Sequence, residues 1–306
     1  MTAAAKTLAV GTFSPAVLLR VARRTERLER RGLLVEERAV PSSPAQFQAL
    51  ADGTLDAALT SPDNVVAYRF LPGNPLGAAR DVRIVAAVDR GMGLGLYAAA
   101  GTPDVGALRG TTVGVDVAAS GFAFALFEIL ERAGLGRDDY ELAELGSTPR
   151  RLEALLDGRC AATMLNAGNE LTADDAGLVR LADVTEVATP YLGTVLAVQG
   201  EPTPAVRALV EALCETAGAI ATGSAYEAAV SEAQGAGLSH ELAQRYVERL
   251  LDPDRGLVGS GRVDRESLDA VVELRRRHLP LAAAELLAGA TDPASGLVDD
   301  GSSRRG

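Results

Sequence analysis

Apolar residues along the chain follow two periods in turn. Short apolar-rich runs at 7–12, Leu33–Val40, Asp56–Thr60, Val82–Val88 and Leu96–Ala99 read as buried strands. Between them, 15–31, 44–52 and the stretch from Ser61 to Phe70 carry a helical period. The alternation resumes with strands at Thr111–Val115, Tyr140–Leu145, 161–165, Val179–Ala182 and Thr194–Val198, and helices at 120–133 and 149–157. From Pro204 onward only helical patterning is left, at 204–221, 224–235, 239–251 and 264–288. Strands alternating with helices predict a mostly parallel sheet covered on both faces.

The pattern repeats. Residues 43–64, SPAQFQALADGTLDAALTSPDN, return as 148–169, TPRRLEALLDGRCAATMLNAGN. Each copy places Pro at a helix start, closes the helix with Asp-Gly, and continues into a short strand and a polar turn. Upstream, Val10-Gly11 and a helix ending Glu29-Arg30-Arg31-Gly32-Leu33 are echoed by Val113-Gly114 and a helix ending Glu131-Arg132-Ala133-Gly134-Leu135. Two similar α/β lobes with a cleft between them are expected. Ligands in such sheets bind beyond the carboxyl ends of the strands, which directs attention to 11–14, 61–64, 118–122 and 166–169. The glycine-rich Gly91–Gly95 and the strand from Thr194 are candidate crossings between the lobes.

Composition narrows the function classes. A chain of 306 residues, 47% hydrophobic, has ample core for two modest domains. A net charge of −11 without a basic stripe disfavours nucleic acid. Arg23–Arg31 and Arg275–Arg277 lie in helical patterns and read as solvated faces. No apolar run is long enough to span a membrane. The start, MTAAAKTLAVGTF, shows no signal peptide or lipobox, so the chain as written is expected to be cytoplasmic, or periplasmic or extracellular if a leader was removed. Cys160 and Cys214 have no framework spacing. Residues 291–306 read as a disordered tail.

Candidate chemistry is sparse. Ser120-Gly121 opens a helix, where free N–H groups favour an anion, though an ordinary N-cap explains it equally well. Ser61 and Asn166 occupy equivalent places in the repeat and could face each other; Asn64 and Asn169 are also equivalent, which suits a shared structural role. Asp63 and Asp116 are the acids nearest the expected cleft and could bind an amine or move a proton. Arg90 could meet an anionic ligand or a nearby acid. Phe13, Phe122 and Tyr191 could stack on a planar ligand, although Phe122 with Phe124 and Phe127 also reads as core. His240 and His278 fall outside the cleft, so no Ser-His-Asp triad is supported, and no Cys/His metal cluster or phosphate-binding loop is present.

The stretches LERRGLLVEERAV, DAALTSPDNVVAYR, LRGTTVGVDVAASGFAF, GSTPRRLEALLDG and PYLGTVLAV together resemble the type II periplasmic binding proteins, in the branch of sulfonate/taurine- and thiamine-precursor-binding (SsuA/THI5/NMT1-like) proteins. The resemblance covers about 7–250. It implies an α/β fold of two similar lobes with mixed, mostly parallel sheets around a hinge cleft, plus C-terminal helices. Lobe one would comprise 1–92 with 193–290, and lobe two 93–192. Carried over by position, the implied ligand contacts are Thr12, Phe13, Ser14, Ser61, Asn64, Arg90, Ser120, Gly121, Phe122, Asn166, Asn169 and Tyr191. The implied function is that of an ABC-transporter substrate-binding protein closing over a small anionic or planar metabolite, with an ABC permease as partner if exported. No metal or cofactor is implied, and the cysteine motif of the fungal thiamine-pyrimidine synthases is missing. The alternative is a cytoplasmic lyase, a dehydratase or decarboxylase on the same fold, with Asp116 as the candidate catalytic group.

Overall fold

The computed structural model describes residues 5–301. Strand β1 (Lys6–Thr12) leads through α1 (Val17–Arg24) to β2 (Leu33–Ala39), α2 (Ser43–Ala51), β3 (Ala57–Thr60), α3 (Pro62–Phe70) and β4 (Val82–Asp89). The chain then enters β5 (Gly95–Ala98), β6 (Thr112–Val115), α4 (Gly121–Arg132), β7 (Glu141–Glu144), α5 (Thr148–Leu156), β8 (Ala162–Leu165), α6 (Asn169–Asp175) and β9 (Val179–Asp183). It returns through β10 (Thr194–Gln199) and ends in α7 (Pro204–Ala221), α8 (Tyr226–Gly235), α9 (His240–Leu250), α10 (Arg265–Arg277) and α11 (Leu281–Glu285).

Two five-stranded sheets result, ordered β2-β1-β3-β10-β4 and β7-β6-β8-β5-β9. The internal repeat is visible in their registers. Val10 and Gly11 pair with Ala57 and Ala58 in the first sheet, as Val113 and Gly114 pair with Ala162 and Thr163 in the second. In each sheet the fourth strand is antiparallel to both its neighbours, and it is a strand reached by a crossing: β10 in the first, β5 in the second. Fully buried runs such as Ala57–Thr60 and Ala162–Leu165 suit sheets covered on both faces.

The two crossings touch. Gly193 donates its N–H to the Asp89 carbonyl at 3.0 Å, and Asp89 Oδ1 accepts from the Gly91 N–H at 2.8 Å. A Cβ on Gly193 would stand 2.3 Å from the Gly91 nitrogen, so only glycine permits this approach.

The C-terminal helices tie both halves together. On one flank α9 meets α6: Arg249 pairs with the buried Glu170, and Arg245 and Arg249 with Asp174. On the other flank α10 lies between α3 and α4. Arg275 makes a two-pronged ion pair with Asp63, at 2.6 and 2.7 Å, and also donates to the Ala119 carbonyl at 2.9 Å. The segments on either side of α10 are anchored on β4: Val258 donates to Val88, and the Ile84 N–H donates to Leu297, both at 2.8 Å.

Four expectations are corrected. Arg275, read with Arg276 and Arg277 as a solvated face, is 3% exposed because its guanidinium is turned inward onto Asp63. The helix expected over 15–31 ends at Arg24, because Glu26 takes a left-handed backbone (φ 57°) and the path resumes as a single 3-10 turn at Glu29–Arg31. The helix expected over 264–288 is broken at Pro280, which cannot continue it, giving α10 and α11. Residues 291–301 are not a loose tail: Leu297 is 1% exposed and Val298 bridges to Ile84. Residues 302–306 lie outside the described residues. Among those described, no helix is long and apolar enough to cross a membrane.

Candidate functional site

The turns after the strands of both sheets converge on two adjoining chambers. The first, with a cavity volume of about 130 Å³, is reached by Thr12, Phe13, Ser14, Ser61, Phe122 and Asn166. Its depth is apolar: Leu18, Leu19, Leu59, Val88, Met92, Leu213, Leu250 and Leu257. Asp89 and Tyr246 also border it. The second, of about 100 Å³, shares Phe13, Ser61, Phe122 and Thr148 with the first, and beyond these takes Pro41, Val117 and Gly146 together with a set of polar and charged residues. Ser42, Ser43, Asn64, Asp116, Ser120, Gly121, Ser147 and Arg151 line it. Phe13 from the first lobe and Phe122 from the second therefore stand where the chambers meet.

Four helix starts surround the second chamber. Ser42 caps α2, its Oγ accepting from the Ala45 N–H at 3.4 Å. Ser61 caps α3 through the Asn64 N–H at 3.2 Å, and Ser120 caps α4 through the Ala123 N–H at 3.0 Å. Ser147 and Thr148 open α5. First-turn N–H groups have no partner within their own helix, so four such ends around one space create a positive potential suited to an anion.

Arg151 adds a full charge. Its side chain sits on α5 and is 1% exposed. It donates to the carbonyls of Met164 and Gly146 and to Thr148 Oγ1, yet it has no carboxylate within ion-pairing distance among the described residues. Asp116, at the end of β6, is the acid whose charge it feels. Burial raises the Asp116 carboxyl above its ordinary range, opposed by the Arg151 charge and by the Ser120 hydroxyl, which donates to Asp116 Oδ1.

The candidates expected from sequence divide accordingly. Thr12, Phe13, Ser14, Ser61, Phe122 and Asn166 reach the first chamber; Asn64, Asp116, Ser120 and Gly121 reach the second. Ser61 and Asn166 do share one chamber. Several polar groups are already engaged: Thr12 Oγ1 donates to Glu37, Asn64 Nδ2 donates to Thr60 Oγ1 at 3.1 Å, and Asn166 Oδ1 accepts from Thr148 at 3.2 Å. Gly121 is set by packing, because a Cβ there would fall 2.6 Å from Asp63 across the lobe boundary. Asn169 lies to the side, donating to the Asn166 carbonyl at 2.9 Å and lining a separate space with Ser14.

Arg90 and Tyr191 are not brought to either chamber. Arg90 follows β4 at the crossing, where its backbone N–H donates to the Gly256 carbonyl at 3.0 Å. Tyr191 is buried against Gly91, whose added Cβ would meet the ring at 2.9 Å. Asp63 is neutralised by Arg275 and is not available to an amine. The histidines stay outside: His278 ends α10 stacked on Phe124, 3.3 Å from Glu128.

Arg151, Thr148 and Asp89 were missed. For Arg151 a signal existed. In the repeat it aligns with Gln46, and both side chains are buried and donate to the equivalent carbonyl, Met164 and Leu59 respectively. The second copy of the repeat thus puts a charge where the first has an amide.

Comparison with known proteins places the fold. No family model and no curated protein matches the chain by sequence. Among solved structures, the alkanesulfonate-binding protein SsuA from Xanthomonas axonopodis pv. citri, bound to MOPS, superposes with a TM-score of 0.71 at 18% identity over 98% of this chain and 96% of that one. A Candida albicans gene product described as having the generic periplasmic binding protein fold gives 0.72 at 13% identity, covering 96% of each chain. The desulfurization enzyme DSZB gives 0.63 at 17% identity over 95% of this chain and 96% of that one. The fold is thus the α/β, two-sheet periplasmic binding protein fold.

Proposed function

We propose that the chain is a small-molecule binding protein of the ABC-transporter substrate-binding type, whose lobes, 1–92 with 193–290 and 93–192, close over an anionic or planar metabolite. One observation carries this reading: helix starts from both lobes, Ser61 and Ser120 among them, surround a common space with a buried guanidinium at its edge. A ligand held there contacts both lobes at once and stabilises the closed arrangement. The first chamber is close in size to a cavity of about 150 Å³ that takes benzene, and its apolar lining suits a compact apolar body. The alkanesulfonate specificity of the structurally similar SsuA is compatible with this chemistry. An ABC permease is the partner this reading implies for an exported form.

Mass spectrometry of a metabolite pool incubated with the purified protein tests the proposal. A compound retained unchanged, near one per chain, supports it; a compound consumed in many-fold excess overturns it.

A specific feature favours a second reading. Asp116 is a carboxyl of raised pKa held by Ser120 at the chamber wall, which suits proton transfer, and DSZB shows that this fold also carries an enzyme. In that case Asp116→Asn abolishes turnover while the fold persists. Conversion at the wild-type rate by this variant removes Asp116 from catalysis.

A further inference from the structure

Arg151 and Asp116 line one small chamber, and their charges cancel while both are ionised. Among the described residues no other charged side chain lines it. Around it, Asp63 is consumed by Arg275 beneath Gly121, and Glu144 at the end of β7 accepts from the Ala118 N–H at the exposed rim. The facing residues of the first lobe, Ser42, Ser43, Ser61 and Asn64, are uncharged. An added anion would leave two negative groups beside one buried guanidinium in the same chamber. Two like charges in one such site are resolved by protonating one of them.

We propose that the second chamber is a subsite for a single negative charge countered by Arg151, and that the anion enters together with one proton, which Asp116 takes up. This deepens the reading of the cleft as a ligand site and rests on it. The Ser120 hydroxyl occupies one carboxyl oxygen of Asp116. Once protonated, Asp116 becomes a donor as well as an acceptor, and repulsion toward the anion turns into a possible hydrogen bond. The proton comes from solvent and no covalent bond changes. The raised carboxyl pKa supports the direction of this transfer.

Isothermal titration calorimetry with benzenesulfonate, an anion that carries no proton of its own near neutral pH, tests it. Buffers of different ionisation enthalpy report the protons exchanged. Uptake of up to one proton per anion is expected, with affinity falling as pH rises through the range where Asp116 ionises, by at most about tenfold per pH unit. Asp116→Asn should keep binding but lose both the uptake and the pH slope. Arg151→Gln installs the residue that the first lobe holds at the equivalent place, with its carbonyl contact, and should weaken benzenesulfonate at least about tenfold while sparing the neutral benzenesulfonamide. Wild-type binding without proton uptake, or an Arg151→Gln affinity within about twofold of wild type, overturns the inference. If benzenesulfonate does not bind but the metabolite screen returns a cleft ligand, the subsite falls and the cleft reading stands. If neither assay returns a ligand, both fall.

Discussion

Removing the Asp63 carboxylate should be among the most damaging single changes in this chain. Asp63 and Arg275 are each 3% exposed, and the carboxylate receives two hydrogen bonds of 2.6 and 2.7 Å from one guanidinium. Two unit charges about 4 Å apart attract by about 4 kcal/mol at the effective dielectric of a protein site. Asp63→Ala forfeits that attraction and leaves Arg275 buried, with the Ala119 carbonyl and the Phe124 ring, 4.8 Å away, as its remaining company. Breaking a buried pair in this way costs about 3–5 kcal/mol. At about 2–4 °C per kcal/mol, the midpoint of thermal unfolding should drop by about 6–20 °C. Because the pair also holds the start of α4 against α3, the radius of gyration measured by small-angle X-ray scattering should increase. Differential scanning calorimetry of Asp63→Ala, Arg275→Met and the double variant gives the coupling. The double variant should be less destabilised than the sum of the singles, by about 1–3 kcal/mol. A midpoint within about 2 °C of wild type for Asp63→Ala, or strictly additive singles, would refute the claim that Asp63 and Arg275 form one strongly coupled, stabilising pair.

Other outcomes follow from the same geometry. Burial pushes the Glu170 carboxyl up to about 7 despite its contact with Arg249. A buried acid with a raised pKa holds its proton more tightly folded than unfolded, so its contribution is fully present below the unfolded value near 4.5 and is lost as pH rises toward 7. Glu170→Gln should flatten stability between about pH 4.5 and 7, read by chemical denaturation across that window; an unchanged slope would show that other groups set it. Gly193→Ala forces a methyl into the Gly91 backbone and should cost about 1–3 kcal/mol by overpacking, seen as a lower urea midpoint. Gly121→Ala presses on Asp63 across the lobe boundary and should loosen ligand retention more than it lowers the unfolding temperature.

The strand–helix alternation, the repeat and the helix starts were legible because each depends on near neighbours in the chain. Pro and Ser at 43–44, 61–62 and 147–149 set helix starts wherever the chain goes, and fully apolar runs such as Ala57–Thr60 have to be buried on both faces. Even local signals failed where a single residue ruled: Glu26 in a left-handed backbone ended α1 early, and Pro280 divided the last long helix. The candidate site was legible as a set of turns but not as a set of contacts. Arg90 and Tyr191 lie near the crossings as expected, yet Arg90 lines neither chamber and Tyr191 packs on Gly91.

What the sequence alone determined is the order of elements, the twofold likeness of the halves and the family of turns that must line the cleft, since periodicity and helix starts act over a few residues. Only the tertiary structure decided which charges are spent and which are free. Asp63 is 212 residues from Arg275, yet that contact removes it from the cleft, while Arg151 lies there with no ion-pair partner among the described residues. Electrostatic roles depend on burial and on distance in space, and neither is encoded in spacing along the chain.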